Sequence, residues 1–509
     1  MVANGHPSSQ PSRWGINSLR LYLLIACLLG GPAASASIQQ IHDYTVRLND
    51  GFSSLSVSAC FDGPFPDSLF AGSSQARPLL RNAHIRQSGE RRRVEVSGSQ
   101  MRLPDRADDD CVHYQVDLGK AARARSIGIA ARTGDALVLS PQIWLWRPRS
   151  LNPYIDIRLH FEREEGMDIQ GPWQADPDWL DASSESEAED QGPVFRLGYP
   201  PLGWDSDFIM GRFERFQLDS EQTRVTVAKA DGPGERADMT LTRQWLQAGL
   251  EAAESIFGQL PSERGQVIIV PLDSGDRPVA RGRVSRAGGL SMSLGMNGHQ
   301  PESDYQADGL IAHEFIHWLH PPVASDHRWL PEGLATYYQY IGLARAGHLS
   351  PAEAWQRFME DMDDGIWDRR PGTVLDIARR MNREGGADYV YWASAAMMLI
   401  ADVELRRRSD KQQSLDHILA QWVDCCFDQR RSADGRDVMD RLDELAGGEP
   451  IFRPLYDDHV LSVGFPDIEQ LLESLGLPQA GETFELNEEA PLAPIRRAIM
   501  QPHEEPLLP

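Results

Sequence analysis

The residues best able to do chemistry lie in Ala312-His-Glu-Phe-Ile-His-Trp318. His313 and His317 are four apart, so on a helix both imidazoles share one face, about one turn from each other, and can hold one metal ion. Glu314 follows the first histidine, where its carboxylate can reach a water on that metal. Alone this pattern is moderately specific, because two ordinary histidines on a partly exposed helix read the same way. A third ligand changes the balance. Fourteen residues separate His317 from Glu332, within Trp329-Leu-Pro-Glu-Gly-Leu-Ala-Thr-Tyr-Tyr338. Pro331 can open a second helix there, with Glu332 in its first turn. Two histidines and one glutamate leave a fourth position on Zn2+ for water. The chemistry open to such a set, with one Zn2+ per chain, is activation of the bound water, which Glu314 is placed to reach.

The elements that must position these residues come next. Leu310, Ile311, Phe315, Trp318 and Leu319 supply the buried faces of the histidine helix, and Pro321 and Pro322 end it. Thr336, one turn after Glu332, and Asp308, about one turn before His313, are candidates to accept the second N–H of a ligating imidazole. Asp308 also reads as a helix-start carboxylate. Upstream, Leu241 to Phe257 reads as a helix, Val267 to Val270 as a short buried strand, and 287–296 as an edge strand. From about Gln306 nearly everything reads as helix, including a capping box at Ser350-Pro351-Ala-Glu353 and a stop at Gly476. This divides the region into an α/β lobe at 237–330 and a helical lobe at 331–476. The segment 477–509, rich in Pro and Glu, is expected as a flexible tail.

Before about residue 230 the period is two. Ile155, Ile157, Leu159 and Phe161 alternate with Asp156, Arg158, His160 and Glu162. Leu55, Val57, Ala59 and Phe61 do the same. Several short strands over 38–230 predict a β-sandwich-like domain. The acidic run at 181–191 reads as a solvated loop.

The full chain of 509 residues has 50 Lys+Arg against 75 Asp+Glu, a net charge of −25. That balance argues against general affinity for nucleic acid or anionic lipid, which need local positive charge. At the N-terminus, Arg13 and Arg20 precede the apolar run Leu21 to Leu29, and Ala34-Ser35-Ala36 follows. This describes a secretory signal over 1–36, hence an exported periplasmic or secreted protein with no stable membrane span after cleavage. An uncleaved anchor and lipidation at Cys27 are the alternatives. In an oxidising compartment Cys60 and Cys111, both in strand-rich sequence, can pair. Cys425 and Cys426 read as two small buried residues.

His313-Glu-Phe-Ile-His317 followed by Trp329 to Tyr338 resembles the gluzincin zinc metallopeptidases, and within them the glycyl aminopeptidase family, with its aminopeptidase N-like catalytic domain. Tyr391-Trp-Ala-Ser-Ala-Ala-Met-Met-Leu-Ile-Ala-Asp402 resembles that family's Tyr-x-Lys-Gly-Ala stretch, and Met210-Gly-Arg-Phe213 the end of its β-domain. The resemblance is strong over about 306–402 and weaker over about 195–476. It implies a multidomain α+β fold: an N-terminal β-sandwich-like domain, then a thermolysin-like catalytic domain with a mainly helical C-terminal lobe. It also implies peptide or protein substrates, zinc on His313, His317 and Glu332, and Glu314 as base and later proton donor. Tyr391 would donate to the developing oxyanion, with Tyr389 as a nearby rival.

Three departures stand against it. The gap before Glu332 is shorter than in aminopeptidase N relatives. Ala393 and Ser394 replace the Lys-Gly. In Gly288-Gly-Leu-Ser-Met292, matched to the family's Gly-Gly-Leu-Glu-His, Ser291 stands where a carboxylate would bind the substrate's free amine; Glu302 and Asp304 are the nearest substitutes. Aminopeptidase and endopeptidase action therefore both stay open. So do a binding scaffold on a degenerate peptidase fold and hydrolysis of an epoxide-type electrophile.

Overall fold

The computed structural model describes residues 40–508 except 106, 124–127, 150, 152–153, 163–165, 176–190, 198–205, 233–238, 273–277, 287–288, 298–304, 306–308, 428–431 and 479–483. The expected signal at 1–36, nearly all of the acidic run, and Glu302, Asp304 and Asp308 lie outside the described residues.

Alternation organises the N-terminal half. Ser54–Phe61 buries every second side chain, and Ile155–Glu162 buries Ile157, Leu159 and Phe161. Eight strands form one sheet in the order Gln174–Ala175, Gln191–Leu197, Ile155–Glu162, Gln40–Leu48, Ser54–Phe61, Cys111–Asp117, Leu80–Gln87, Glu90–Arg93. Its apolar face shares one core, including Trp144, Trp146, Phe161 and Phe208, with smaller sheets built on Ala136–Leu139 and Gln100–Arg102. Cys60 and Cys111 stand opposite each other in register and are bonded. Cys425 and Cys426 are bonded to each other, with Cys425 exposed. That corrects the expectation of two buried thiols, which rested on an apolar pattern that is silent about neighbouring sulfurs.

A second core begins at Phe216. Five strands order as Phe213–Leu218, Arg224–Ala230, Arg264–Leu272, Leu290–Asn297, Val279–Ser285. The three inner strands are parallel, and each outer strand pairs antiparallel. Two sequence expectations change here. The hairpin Phe213–Leu218/Arg224–Ala230 belongs to this sheet and not to the 38–230 layer, because a period of two does not say which sheet a strand joins. The strand expected at the edge over 287–296 is interior: Leu290–Asn297 is buried at every position. The edge is Val279–Ser285, whose Arg281-Gly282-Arg283 carries little strand propensity.

Helices Met239–Phe257, Leu310–Ile316, Trp329–Arg345 and Ala387–Arg408 share that second core, which runs without a break to Leu508. The lobes at 237–330 and 331–476 are thus halves of one core. The capping box at Ser350 is present, with both reciprocal bonds. The tail expected at 477–509 is instead ordered over 484–508. Helix Ala493–Ile499 buries Ile495 and Ile499, and Arg345 donates to the Ile499 carbonyl at 2.9 Å. Prolines and glutamates on either side of this seven-residue helix mask its period. Among the described residues no helix is long and apolar enough to cross a membrane.

Candidate metal centre

Three helices and one strand converge. Leu310–Ile316 carries His313 and Glu314, and a 3-10 turn, His317–Leu319, continues it so that His317 stays one turn from His313. Ile311, Phe315 and Trp318 are buried beneath them. Trp329–Arg345 brings Glu332 in its first turn. Ala387–Arg408 brings Tyr391. These last two helices meet where Gly333 faces Ser394; a Cβ on Gly333 would lie 2.3 Å from the Ser394 Cβ. A small residue at 394 is thus what the packing requires, and serine in place of the family's glycine is tolerated because position 333 supplies the space.

The side chains meet as the sequence predicts. Glu332 Oε2 lies 3.2 Å from His313 Nε2 and 3.3 Å from His317 Nε2. Around a tetrahedral zinc with bonds of about 2.0–2.1 Å, ligand atoms sit about 3.3 Å apart. Donor types and spacing therefore fit Zn2+. The protonation tendencies of Glu332 and His317 agree, and that of His313 runs the other way. Burial alone would raise the Glu332 carboxyl, but His317 and His313 outweigh it and hold its pKa well below the usual range. Burial lowers His317, and its carboxylate neighbour does not reverse this. Burial would lower His313 too, yet Glu332 and Glu314 raise it. An ionised carboxylate buried between two imidazoles is a site whose charge suits a cation.

The supporting partners were only partly legible. Thr336, proposed from spacing, lies 3.4 Å from His313 Nδ1, and Gln339 Oε1 lies 3.3 Å from the same nitrogen. His320 was missed. Its Nδ1–H donates to the Pro321 carbonyl at 2.8 Å, which leaves Nε2 as acceptor for Arg286 at 2.8 Å and for His317 Nδ1–H at 3.4 Å. Arg286 also donates to the His317 carbonyl at 2.6 Å. This chain fixes the tautomer that turns His317 Nε2 toward Glu332. Arg328 holds the other Glu332 oxygen at 3.3 Å. The one sequence signal for His320 was a third histidine three residues after His317.

Tyr391 stacks on His313, with ring centroids 5.7 Å apart and planes 23° apart. Burial, reinforced by Glu332 and Glu314, pushes its phenol far up, so it remains an O–H donor. Tyr389 instead packs against Phe465. Ser291 does not face the metal group. It is buried on the interior strand and accepts from Gln266 at 2.9 Å. The strand beside the site is Val279–Ser285, where a Cβ on Gly282 would lie 2.4 Å from Glu314 Oε1. Its residues include no carboxylate.

Against solved structures, this arrangement matches an aminopeptidase N family protein from Idiomarina loihiensis, with 15% identity, 89% of this chain and 82% of that one covered, and a TM-score of 0.66. The fold is that of the aminopeptidase N family. An M1 zinc metallopeptidase from Deinococcus radiodurans, solved as a point variant with a Tyr-Ser-Ala substrate, matches with 14% identity, coverage of 84% and 95%, and a TM-score of 0.50. No protein-family model matches the sequence, and no curated protein does. Here β-sheet layers precede a mixed sheet and a helical lobe, and His313, His317 and Glu332 form a group able to hold a metal ion.

Proposed function

We propose that this chain is an exported zinc metallopeptidase that hydrolyses peptide bonds. The observation that carries the reading is the convergence of Glu332 Oε2 on both imidazole Nε2 atoms at 3.2 and 3.3 Å, with Glu314 one residue from the first ligand. Zinc, when bound, polarises a carbonyl and lowers the pKa of water from about 15.7 toward about 7. Glu314 takes a proton as the water oxygen bonds to the scissile carbon, then passes it to the amine as the C–N bond breaks. Tyr391 donates its O–H to the oxygen that gains charge. Arg328 and the His320–Arg286 pair hold Glu332 and His317 in place. A scaffold would have no use for a carboxylate at Glu314, set against Gly282 of the edge strand beside the metal ligands, and that placement favours the enzyme over the binding-protein reading.

Release of N-terminal residues is the finer reading, supported by the fold. An edge strand without a carboxylate points the other way, toward tolerance of blocked N-termini. Export rests on the pattern at 1–36 alone. The deciding experiment is a peptide panel with free and acetylated N-termini, incubated with zinc-loaded wild type and Glu314→Gln. Wild type should cleave, and the variant should lose about 100- to 10,000-fold. Equal activity in the variant refutes the mechanism; cleavage of acetylated peptides at matched rates rejects strict aminopeptidase action.

A further inference from the structure

The N-terminal sheet has a second, polar face that the metal chemistry does not use. It forms an open concavity of about 1190 Å³. Six arginines line it, Arg47, Arg77, Arg81, Arg86, Arg91 and Arg93, against two glutamates, Glu95 and Glu162. Arg81 pairs with Asp117 and Arg47 lies 3.7 Å from Glu162. Arg77, Arg86, Arg91 and Arg93 are exposed and have no carboxylate partner among the described residues. In a chain of net charge −25, four such arginines on one concave face are a local inversion of sign.

Register shows how the charges are arrayed. Arg86 stands opposite Arg91, and His84 stands opposite both Arg93 and His113. Residues two apart on a strand lie about 6.8 Å apart, the same repeat as the alternate side chains of any extended chain laid alongside. Glu90–Arg93 ends the sheet order, so its outer backbone groups have no ladder partner in that sheet. A guanidinium fork takes a carboxylate through two parallel hydrogen bonds. Arginines along an edge repel a second copy of the same edge. The same charges favour an acidic strand.

We propose that this face binds an extended acidic polypeptide segment, added beside Glu90–Arg93 with its carboxylates on Arg86, Arg91 and Arg93. The choice of occupant follows from what the face lacks. Its lining holds no tryptophan or phenylalanine, its one tyrosine, Tyr114, is buried, and its two imidazoles, His84 and His113, pack on each other with centroids 5.3 Å apart, so bases find little stacking surface there. A long polyanion would also extend beyond the patch over the acidic remainder of the molecule. A short peptide confines its charge to about one Debye length, roughly 8–10 Å.

The test uses the full-length Glu314→Gln protein and fluorescence anisotropy of a short alternating Glu-Thr peptide blocked at both ends. Binding needs no hydrolysis, so the result is independent of the peptidase reading. Saturable binding at about 0.05 M salt should weaken by at least about tenfold in an Arg86→Ala, Arg91→Ala, Arg93→Ala variant whose thermal unfolding matches the parent. A Lys-Thr peptide should not bind. Absence of saturable binding, equal affinity in the variant, or tighter binding of duplex DNA or a sulfated polysaccharide than of the acidic peptide overturns the proposal.

Discussion

Gly282→Ala is the sharpest probe of how the site is assembled. The new Cβ would lie 2.4 Å from Glu314 Oε1, 2.6 Å from its Cδ and 2.7 Å from Oε2. Comfortable contact needs roughly 3.5 Å, so the carboxylate must withdraw by about 1 Å. The obstacle is the free end of a flexible side chain, so the fold absorbs the change with a stability loss under about 1 kcal/mol. Catalysis does not absorb it. A misplacement of about 1 Å costs about 100-fold in rate, or about 2.7 kcal/mol of barrier. The metal ligands are untouched, and zinc content should stay at one per chain. The assay is kcat/KM on a good peptide, with zinc analysis and thermal unfolding on the same preparation. Glu314→Asp, one methylene shorter, should cost less in the Gly282→Ala background than in wild type. Activity within about threefold of wild type at full zinc occupancy would refute the reasoning, and so would loss of zinc, since either places the effect of the strand elsewhere.

Tyr391→Phe should lower kcat by about 100- to 1,000-fold with KM and zinc unchanged, while Tyr389→Phe stays near wild type; the reverse ranking would exchange their roles. His320→Phe should weaken zinc binding by about 10- to 100-fold in chelator competition, and His320→Gln, which keeps an acceptor, should recover part of it; wild-type affinity in His320→Phe would show that His317 needs no such partner. Burial pushes the His42 imidazole down to about 4, partly opposed by Asp43. Its folded pKa lies below an unfolded value of about 6.5, so its contribution is complete above that pH and is lost as pH falls toward 4, by about 3 kcal/mol. Urea unfolding of the N-terminal layer should follow this window, and an unchanged slope in His42→Phe would assign it to another group.

The metal group was legible because its information is local. Helical spacing places His313 and His317, and a second helix, signalled by Pro331 although it starts two residues earlier at Trp329, places Glu332, without knowledge of the rest of the chain. Thr336 followed by the same logic. His320 and Arg286 were not legible, since their meeting depends on how the edge hairpin packs on the turn after His317. Ser291 shows the limit most clearly. Its tripeptide context resembled an edge strand, but pairing with Arg264–Leu272 and Val279–Ser285 puts it inside the sheet. Strand position is a non-local property, and a repeat of two residues is the same at the edge and in the middle. The segment after 477 misled for a related reason, as its helix is stabilised by carbonyl contacts to Arg345 and Arg406 far upstream.

Those upstream contacts set an order of events during synthesis. The first core closes with residues no later than about 211 and can collapse as it leaves the ribosome. Helix Met239–Phe257, one of the helices in the core beneath the metal group, instead receives the Leu507 N–H on its Phe257 carbonyl and has Leu508 near Gln259. About 250 residues must be made before that seam can close, a loop whose ends meet slowly and late. A chain stalled or clipped before residue 507 then presents a finished β-layer beside a second core whose last seam is still open.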